Sequence, residues 1–388
     1  MKFSCRTPEF LQALQLVSRA ISNQQALPIL GNILLRAEKG ICIVSATDLE
    51  ISIITKFPAE VEREGAITIP AKAILNFAQF TTDPEVTLES KDGTQLRCSS
   101  LHSKTTFQGE AATEYPTIST IEGKTSFTLD GATLLEALHY VTFAAAHSSL
   151  RPVLSGVSLR TEGGKIFFVA TDSYRLSEYS IETDMKDDIS CIVPVKVLDE
   201  LKMILSGKKP AKRTATEDGA KEGERAEALP VRVTLSQQQI EMQINSTHLL
   251  SRLIEGKFPD YHQIIPSSHT TKGLLSTFEF TTAVRRMHYF AKEMNNNLTF
   301  TFGSQDIQMT TPQTPLGKDE ATIAAEVQGE QGKIALSSSY LLDFLGHANT
   351  DVVEIRMIDS MHPAVFYAPG NARFLHLIMP LRMQESGQ

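Results

Sequence analysis

The sequence predicts an α+β protein of three topologically similar domains, each with two helices packed on antiparallel sheet. Three observations carry this: an internal repeat that needs no gap, helical and strand-like stretches that alternate in the same order within each copy, and the bulk composition. The chain has 388 residues, of which 41% are hydrophobic and 21% charged. That is more than one core fills at about 100 to 200 residues per domain, and the composition is that of a globular rather than a disordered or fibrous protein.

The repeat comes first, because missing one misreads the whole fold. PILGNILLRAEKGICIVSATD (Pro28 to Asp48) lies over PVLSGVSLRTEGGKIFFVATD (Pro152 to Asp172) at a constant offset of 124 residues, with Leu35 on Leu159, Gly40 on Gly164 and Ala46-Thr47-Asp48 on Ala170-Thr171-Asp172. The same offset sets Phe3 on Phe127, Leu14 on Leu138, and ITIPAK (Ile67 to Lys72) on CIVPVK (Cys191 to Lys196). Beyond Lys196 the register changes to 143, with Tyr115-Pro116 on Phe258-Pro259. The surplus falls in SGKKPAKRTATEDGAKEGERAEAL (Ser206 to Leu229), rich in Lys, Glu, Ala and Gly, which reads as a solvated or disordered insert. A third copy is marked by IALSSSYLLDFLG (Ile334 to Gly346), which follows ITIPAKAILNFAQ at an offset of 267. The domains are expected at 1–121, 122–266 (insert about 206–229) and 267–388.

Within each copy the elements follow from pattern. The first helix starts at Thr7-Pro8-Glu9 and places Leu11, Leu14, Val17 and Ile21 on one face. Its third-copy counterpart, FTTAVRRMHYFAKEMNN, carries Val284, Met287 and Phe290. CIVSA and IFFVA read as strands, and Lys91-Asp92-Gly93 as a hairpin turn.

A formal charge of −8 excludes a uniformly basic nucleic-acid grip but leaves room for local basic faces. The first residues lack the unbroken apolar run of a signal peptide, and no window has the apolar length of a membrane span. Cys5, Cys42, Cys98 and Cys191 are scattered, as in a reduced cytoplasmic chain.

No nucleotide-binding, zinc-protease, serine-hydrolase or zinc-finger signature is present, so neither a cofactor nor a metal is expected. His139, His147 and His376 stand singly. VATDSYRLS (Val169 to Ser177) has the residue types of a hydrolase site, with Asp172 as base, Ser173 or Tyr174 as nucleophile and Arg175 as an anion clamp. Because Ala-Thr-Asp recurs in the first copy, Thr171 and Asp172 read instead as a polar strand end that starts a turn.

With the repeat, LPILGN (Leu27 to Asn32), the paired ATD strand ends, GKFPDY (Gly256 to Tyr261) and HLIMPLR (His376 to Arg382) in view, the chain resembles the bacterial DNA sliding clamps, the beta subunit of DNA polymerase III. The resemblance covers all but the insert and the last few residues. It implies a non-catalytic processivity factor in which two chains close head to tail into a six-domain ring around double-stranded DNA. The implied partners are the polymerase III alpha subunit, the clamp-loader delta subunit, and other polymerases and repair proteins carrying clamp-binding peptides.

In that family a hydrophobic cleft between the second and third domains receives these peptides. Carried over by motif, its walls are Leu154, Thr171, Tyr174, Arg175 and Leu176, then Pro259 and Ile264, then Met361, Leu377, Met379, Pro380, Leu381 and Arg382. Flexible Met and Leu with an arginine at the rim suit several related peptides. Arg19, Lys72, Lys196, Lys202, Arg285, Arg286 and Lys292 read either as DNA-facing or as ordinary solvated helix residues. Phe107, Tyr289 and Phe290 are candidates for the dimer interface or for core packing. Gln24 and Gln25 stand where relatives can carry a basic DNA contact, and Pro152 and Val153 where some place tyrosines, which leaves His147 and Arg151 there. Two rival readings remain, a monomeric three-repeat peptide adaptor and the hydrolase centred on Asp172, Ser173 and Tyr174.

Overall fold

The computed structural model describes residues 1–22, 27–118, 121, 123, 125–147, 151–207 and 229–382. Gln24 and Gln25, most of the charged insert and the tail from 383 lie outside them.

The first copy contains strands β1 (Lys2–Arg6), β2 (Asn32–Glu38), β3 (Ile41–Thr47), β4 (Ile51–Pro58), β5 (Glu60–Arg63), β6 (Gly65–Pro70), β7 (Glu85–Glu89), β8 (Gln95–Ser99) and β9 (Lys104–Gln108), with helices α1 (Thr7–Val17) and α2 (Ala71–Phe80). The second contains β10 (Thr125–Asp130), β11 (Gly156–Glu162), β12 (Lys165–Thr171), β13 (Arg175–Glu182), β14 (Ser190–Pro194), β15 (Pro230–Leu235), β16 (Gln239–Ile244) and β17 (Thr247–Arg252), with α3 (Gly131–Val141) and α4 (Val195–Gly207). The third contains β18 (Thr271–Ser276), β19 (Asn297–Phe302), β20 (Asp306–Thr310), β21 (Glu320–Gly329), β22 (Lys333–Ser337), β23 (Val352–Met357), β24 (Ala364–Tyr367) and β25 (Phe374–Ile378), with α5 (Thr277–Ala291) and α6 (Ser338–Leu345). The offset of 124 carries both ends of α1, β2, β3 and β4 onto those of α3, β11, β12 and β13. The offset of 143 carries the start of β9 onto that of β17, and 267 carries the start of α2 onto that of α6.

Burial refines the helical faces. In α1 the buried stripe is Phe10, Ala13, Leu14 and Val17, while Leu11 is half-buried and Ile21 lies beyond the helix end. In α5 it is Phe280, Val284, Met287 and Ala291, with Phe290 half-buried. The stripe follows 3.6-residue spacing around the cylinder, so a small alanine can occupy the core line while a larger neighbour sits at its edge. The Lys91-Asp92-Gly93 hairpin is formed. Asp92 accepts the N–H groups of Thr94 (3.0 Å) and Gln95 (3.2 Å), and Gly93 takes φ +79°.

The chain forms two compact units, Met1–Leu134 with Lys196–Leu253, and Leu135–Val195 with Ile254–Gln388. The first holds a five-stranded sheet, β5-β1-β7-β8-β9, and an eight-stranded sheet, β10-β15-β16-β17-β4-β3-β2-β6. The second holds one twelve-stranded sheet, β14-β11-β12-β13-β25-β24-β23-β18-β21-β20-β19-β22. The middle copy therefore gives strands to both units. In each unit its sheet is continued across a copy boundary by one antiparallel pairing, β4 with β17 (Ser52 opposite Leu250) and β13 with β25 (Leu176 opposite Leu377). Backbone hydrogen bonds thus join successive copies, and each junction leaves a strand end beside a turn.

Candidate functional site

The second junction carries most of the residues expected in the cleft, and the turn between β12 and β13 builds it. Thr171 ends β12, donating its hydroxyl to the carbonyl of Arg175 (2.6 Å) and accepting the Ser173 N–H (3.1 Å). Asp172 Oδ1 accepts the N–H groups of Tyr174 (2.9 Å) and Arg175 (3.0 Å). These bonds hold Ser173 at φ +81°, a left-handed conformation that costs a non-glycine residue roughly 1–2 kcal/mol. The consequence is directional: Tyr174 points to solvent at 62% exposure, while Arg175 and Leu176 turn inward.

In this turn Asp172 and Ser173 are bonded to backbone groups and to arginines, not to each other's side chains. Both Asp172 oxygens are engaged, one by backbone and one by Arg175 Nε at 3.1 Å, and the Ser173 hydroxyl accepts from Arg151 Nη1 at 3.0 Å. Among the described residues no hydrogen bond joins the Asp172 carboxylate to the Ser173 or Tyr174 hydroxyl.

Leu176 and Leu377 are fully buried and share a cluster with Val169, Tyr261 and Val365. Met379 is packed half-buried against it, together with Phe167, Phe258 and Ile265. The Met379 N–H donates to the Tyr174 carbonyl (2.8 Å) and the Leu381 N–H to that of Ala335 (2.8 Å), and Asn297 Nδ2 holds the Arg382 carbonyl (3.2 Å). The Met379-to-Arg382 segment is thus tied to the Tyr174 turn and to β22. Pro380 and Leu381 are half-buried and Arg382 is exposed. Pro259 is exposed and Ile264 is 39% exposed, on either side of Tyr261. The Tyr261 hydroxyl donates to Glu178 and accepts from Arg160 Nη2 (2.7 Å), and burial pushes its pKa well above the usual tyrosine value. Leu154 is buried in the short 3-10 turn Pro152–Leu154. Met361 stands apart in an exposed turn capped by Asp359 and is 79% exposed.

Of the two arginines, Arg382 has the exposure a rim needs, whereas Arg175 is only 5% exposed. Arg175 pairs with Asp172 and Asp343, and its guanidinium lies 4.7 Å from the Tyr340 ring centroid and 5.7 Å from that of Phe143. Sequence reading missed Tyr340 and Asp343. The available signal was their i, i+3 spacing in SSSYLLDFLG, which puts both on one helix face. It also missed Tyr261 as a cluster member, although GKFPDY contains it. His376, read as a solitary histidine, is fully buried among Phe143, Phe344, Phe366 and Phe374 and hydrogen-bonded to Ser177 (2.7 Å). Burial and the nearby Arg175 hold it neutral, far below the usual histidine range.

The basic candidates fall into two sets. Arg19 pairs with Glu200 (2.7 Å), Lys196 with Asp48 (2.8 Å), Lys202 with Asp199 (3.4 Å) and Arg286 with Asp319 (2.9 Å). Lys72, Arg285, Lys292, His147 and Arg151 are exposed. Phe107, half-buried on β9, meets Phe77 edge to face at 5.9 Å, and on α5 Tyr289 is 63% exposed beside the half-buried Phe290. Among the described residues no helix is long and apolar enough to cross a membrane.

Comparison with known proteins agrees with this architecture. Three family models match in succession: the DNA polymerase III beta subunit N-terminal domain over residues 1–119, its central domain over 128–260 and its C-terminal domain over 262–382. The beta sliding clamp of Synechocystis sp. is 29% identical over 99% of this chain and 100% of its own length. The DNA polymerase sliding clamp of Bacillus subtilis has the same fold, with a TM-score of 0.89 at 24% identity over 99% of this chain and 100% of its own. A sliding clamp from Bartonella birtlesii, solved bound to griselimycin, is 26% identical with a TM-score of 0.88 over the same shares. The chain belongs to the DNA polymerase III beta subunit family, the beta sliding clamps that act as processivity factors.

Proposed function

We propose that this clamp holds its partners through the second junction and closes as a head-to-tail homodimer around double-stranded DNA in the cytoplasm, without catalytic chemistry of its own. The observation that carries the cleft is the apolar group of Leu176, Leu377 and Met379 beside a turn rigidly held by Thr171 and Asp172. Tyr174, Pro259, Ile264 and Arg382 would form the exposed surface around it, with Met361 at the outer margin in its separate exposed turn, and Leu154, Arg175, Pro380 and Leu381 would support it from within. Short apolar peptides from the polymerase III alpha subunit, the clamp-loader delta subunit and repair proteins are the proposed occupants. Burying one Leu or Met side chain contributes about 1.5–3 kcal/mol, so three anchors supply about 4.5–9 kcal/mol against the roughly 8 kcal/mol of a micromolar complex, and polar and backbone contacts must supply the rest.

Strand edges support closure. Each junction pairs the last strand of one copy with the fourth strand of the copy before it, β17 on β4 and β25 on β13. Among the described residues, β9 pairs only with β8, and Glu320–Ala324 of β21 pairs only with β20. The last strand of the first copy and the fourth-strand counterpart of the third thus each keep an edge for the same pairing in a second chain. Phe107 on β9 and Tyr289 and Phe290 on α5 would flank that seam. Proposed repeat boundaries are 1–121, 122–266 and 267–388.

DNA is held by topology and by weak contacts from Lys72, Arg285, Lys292, His147 and Arg151, with Arg19, Lys196, Lys202 and Arg286 contributing once released from their carboxylates. The decisive experiment pairs native mass measurement with a fluorescently labelled peptide from the C-terminus of the polymerase alpha subunit. Met379→Ala with Leu176→Ala is expected to abolish peptide binding while the dimer persists. A chain that stays monomeric at micromolar concentration while binding peptide would establish the adaptor reading instead.

A further inference from the structure

We infer that Asp343 is a positioning residue for the cleft: its carboxylate, acting through Arg175, holds the Tyr174–Leu176 wall against helix α6. This rests on the reading of the second junction as the peptide site.

The side chain of Arg175 is 95% removed from solvent yet carries a full charge, so it must be paired and hydrogen-bonded to stay there. Asp172 supplies one partner from three residues away and adds no tie to another element. Asp343 supplies the other from α6, 168 residues distant in sequence. The same helix sets Tyr340 over the guanidinium at 4.7 Å. One buried cation therefore fastens the β12–β13 turn of the second copy to a helix of the third, between two wall residues. On one side Tyr174 accepts the Met379 N–H, and on the other Leu176 enters the apolar cluster.

Charge and exposure distinguish the two carboxylates. Asp172 is 16% exposed and also binds two backbone N–H groups, so its loss would undo the turn itself. Asp343 is 46% exposed, and the described structure gives its carboxylate only the bond to Arg175. Removing it leaves Arg175 still paired with Asp172 but held to α6 only by the Tyr340 ring, without a charged partner on that helix. The expected result is a folded protein whose wall is free to shift, and therefore weaker peptide binding with little change in stability.

The experiment uses the full chain, with the alpha-subunit peptide and griselimycin as separate probes. Asp343→Ala is expected to weaken both about tenfold while shifting the melting temperature by less than about 2 °C and leaving the dimer mass unchanged. Asp343→Asn, similar in shape but uncharged, should weaken them about as much, and Asp343→Glu should recover binding to within about twofold. In a double-mutant cycle, Asp343→Ala should have no further effect once Arg175→Met is present, because residues acting as a unit are non-additive. Wild-type affinity in Asp343→Ala, or full additivity with Arg175→Met, would overturn the inference. Leu176→Ala with Met379→Ala separates the two ideas: if that pair abolishes binding while Asp343→Ala does not, the cleft stands and the positioning role falls. Binding unchanged in both removes the cleft itself.

Discussion

The two inter-copy junctions share a backbone and differ in chemistry. At the first, Thr47 donates to the Ile51 carbonyl (2.9 Å), Asp48 accepts the N–H groups of Glu50 (3.0 Å) and Ile51 (2.8 Å), and Leu49 takes φ +76°. These are the bonds made by Thr171, Asp172 and Ser173 at the second. The Arg252 N–H donates to the Glu50 carbonyl (3.2 Å) as that of Met379 does to Tyr174. Onto this common frame the first junction puts Glu50, Ile51, Ser52 and Arg252, and the second puts Tyr174, Arg175, Leu176 and Met379. The turn is therefore architecture, and the proposed capacity to hold an apolar peptide would lie in the side chains that diverge.

The largest effect on binding should come from making the second junction like the first. Leu176→Ser with Met379→Arg removes two apolar anchors and adds an exposed charge, so affinity for the alpha-subunit peptide should fall by more than about 100-fold, or about 3 kcal/mol. Isothermal titration with native mass measurement checks this. Peptide binding that survives with the dimer intact would mean the shared backbone, and not the divergent side chains, forms the site.

Next is the aspartate at each turn. Asp172→Ala frees two backbone N–H groups and strips a partner from a buried guanidinium, and removing one partner of a buried pair costs about 3–5 kcal/mol. Arg175 keeps Asp343, which favours the lower end. Asp48→Ala frees the same two N–H groups but loses only a pair to Lys196, whose side chain is 52% exposed, for about 1–2 kcal/mol in all. Urea denaturation of the two variants should show Asp172→Ala as clearly the more damaging. Equal losses would mean that Arg175 contributes nothing through Asp172.

What could be read in advance divides along the same line. The repeat register located the strands and helices because burial forces the same alternation in each copy, and one slipped residue would turn a whole strand inside out. Leu176, Leu377 and Met379 are named for the cleft through the resemblance carried by VATDSYRLS and HLIMPLR, and the structure brings them together at positions whose copies, Ser52, Leu250 and Arg252, are polar in two of three cases. Arg175 with Asp343 and Tyr340 was not legible, since the contact spans 168 residues and no periodicity encodes it. Nor did helix pattern reveal that Arg19, Lys196, Lys202 and Arg286 spend their charge on carboxylates nearby in space.

A third difference concerns acid. His376 on β25 corresponds to Leu249 on β17, and their strand partners are Ser177 and Ile53. The folded state holds His376 neutral well below 6.5, so on acidification the unfolded chain takes up the proton first. Its contribution is full above about pH 6.5, the unfolded value, and is lost as pH falls toward the folded one. Replacing both members of the hydrogen-bonded pair, His376→Leu with Ser177→Ala, should flatten the decline in stability between pH 6.5 and 5, measured by urea midpoints, at small cost at pH 8. A decline as steep as wild type would place the acid sensitivity elsewhere.

The smallest effect separates basic residues already paired from those that are not. Lys196 is committed to Asp48, and an exposed pair contributes about 0–1 kcal/mol, so Lys196→Ala should change stability by less than about 0.5 kcal/mol. If Lys196 also reached DNA it would have to leave Asp48, exchanging one anion for another with little net release of counterions. Arg285 is exposed on α5 and has no carboxylate to give up among the described residues. Each phosphate neutralised contributes about 0.9 to the slope of log affinity against log salt. Measured on loaded circular DNA between 50 and 200 mM salt, Arg285→Ala should shallow that slope by nearly one, and Lys196→Ala by much less. Equal changes would show that the Asp48 pair opens freely on DNA, and the basic residues of both sets would then count alike.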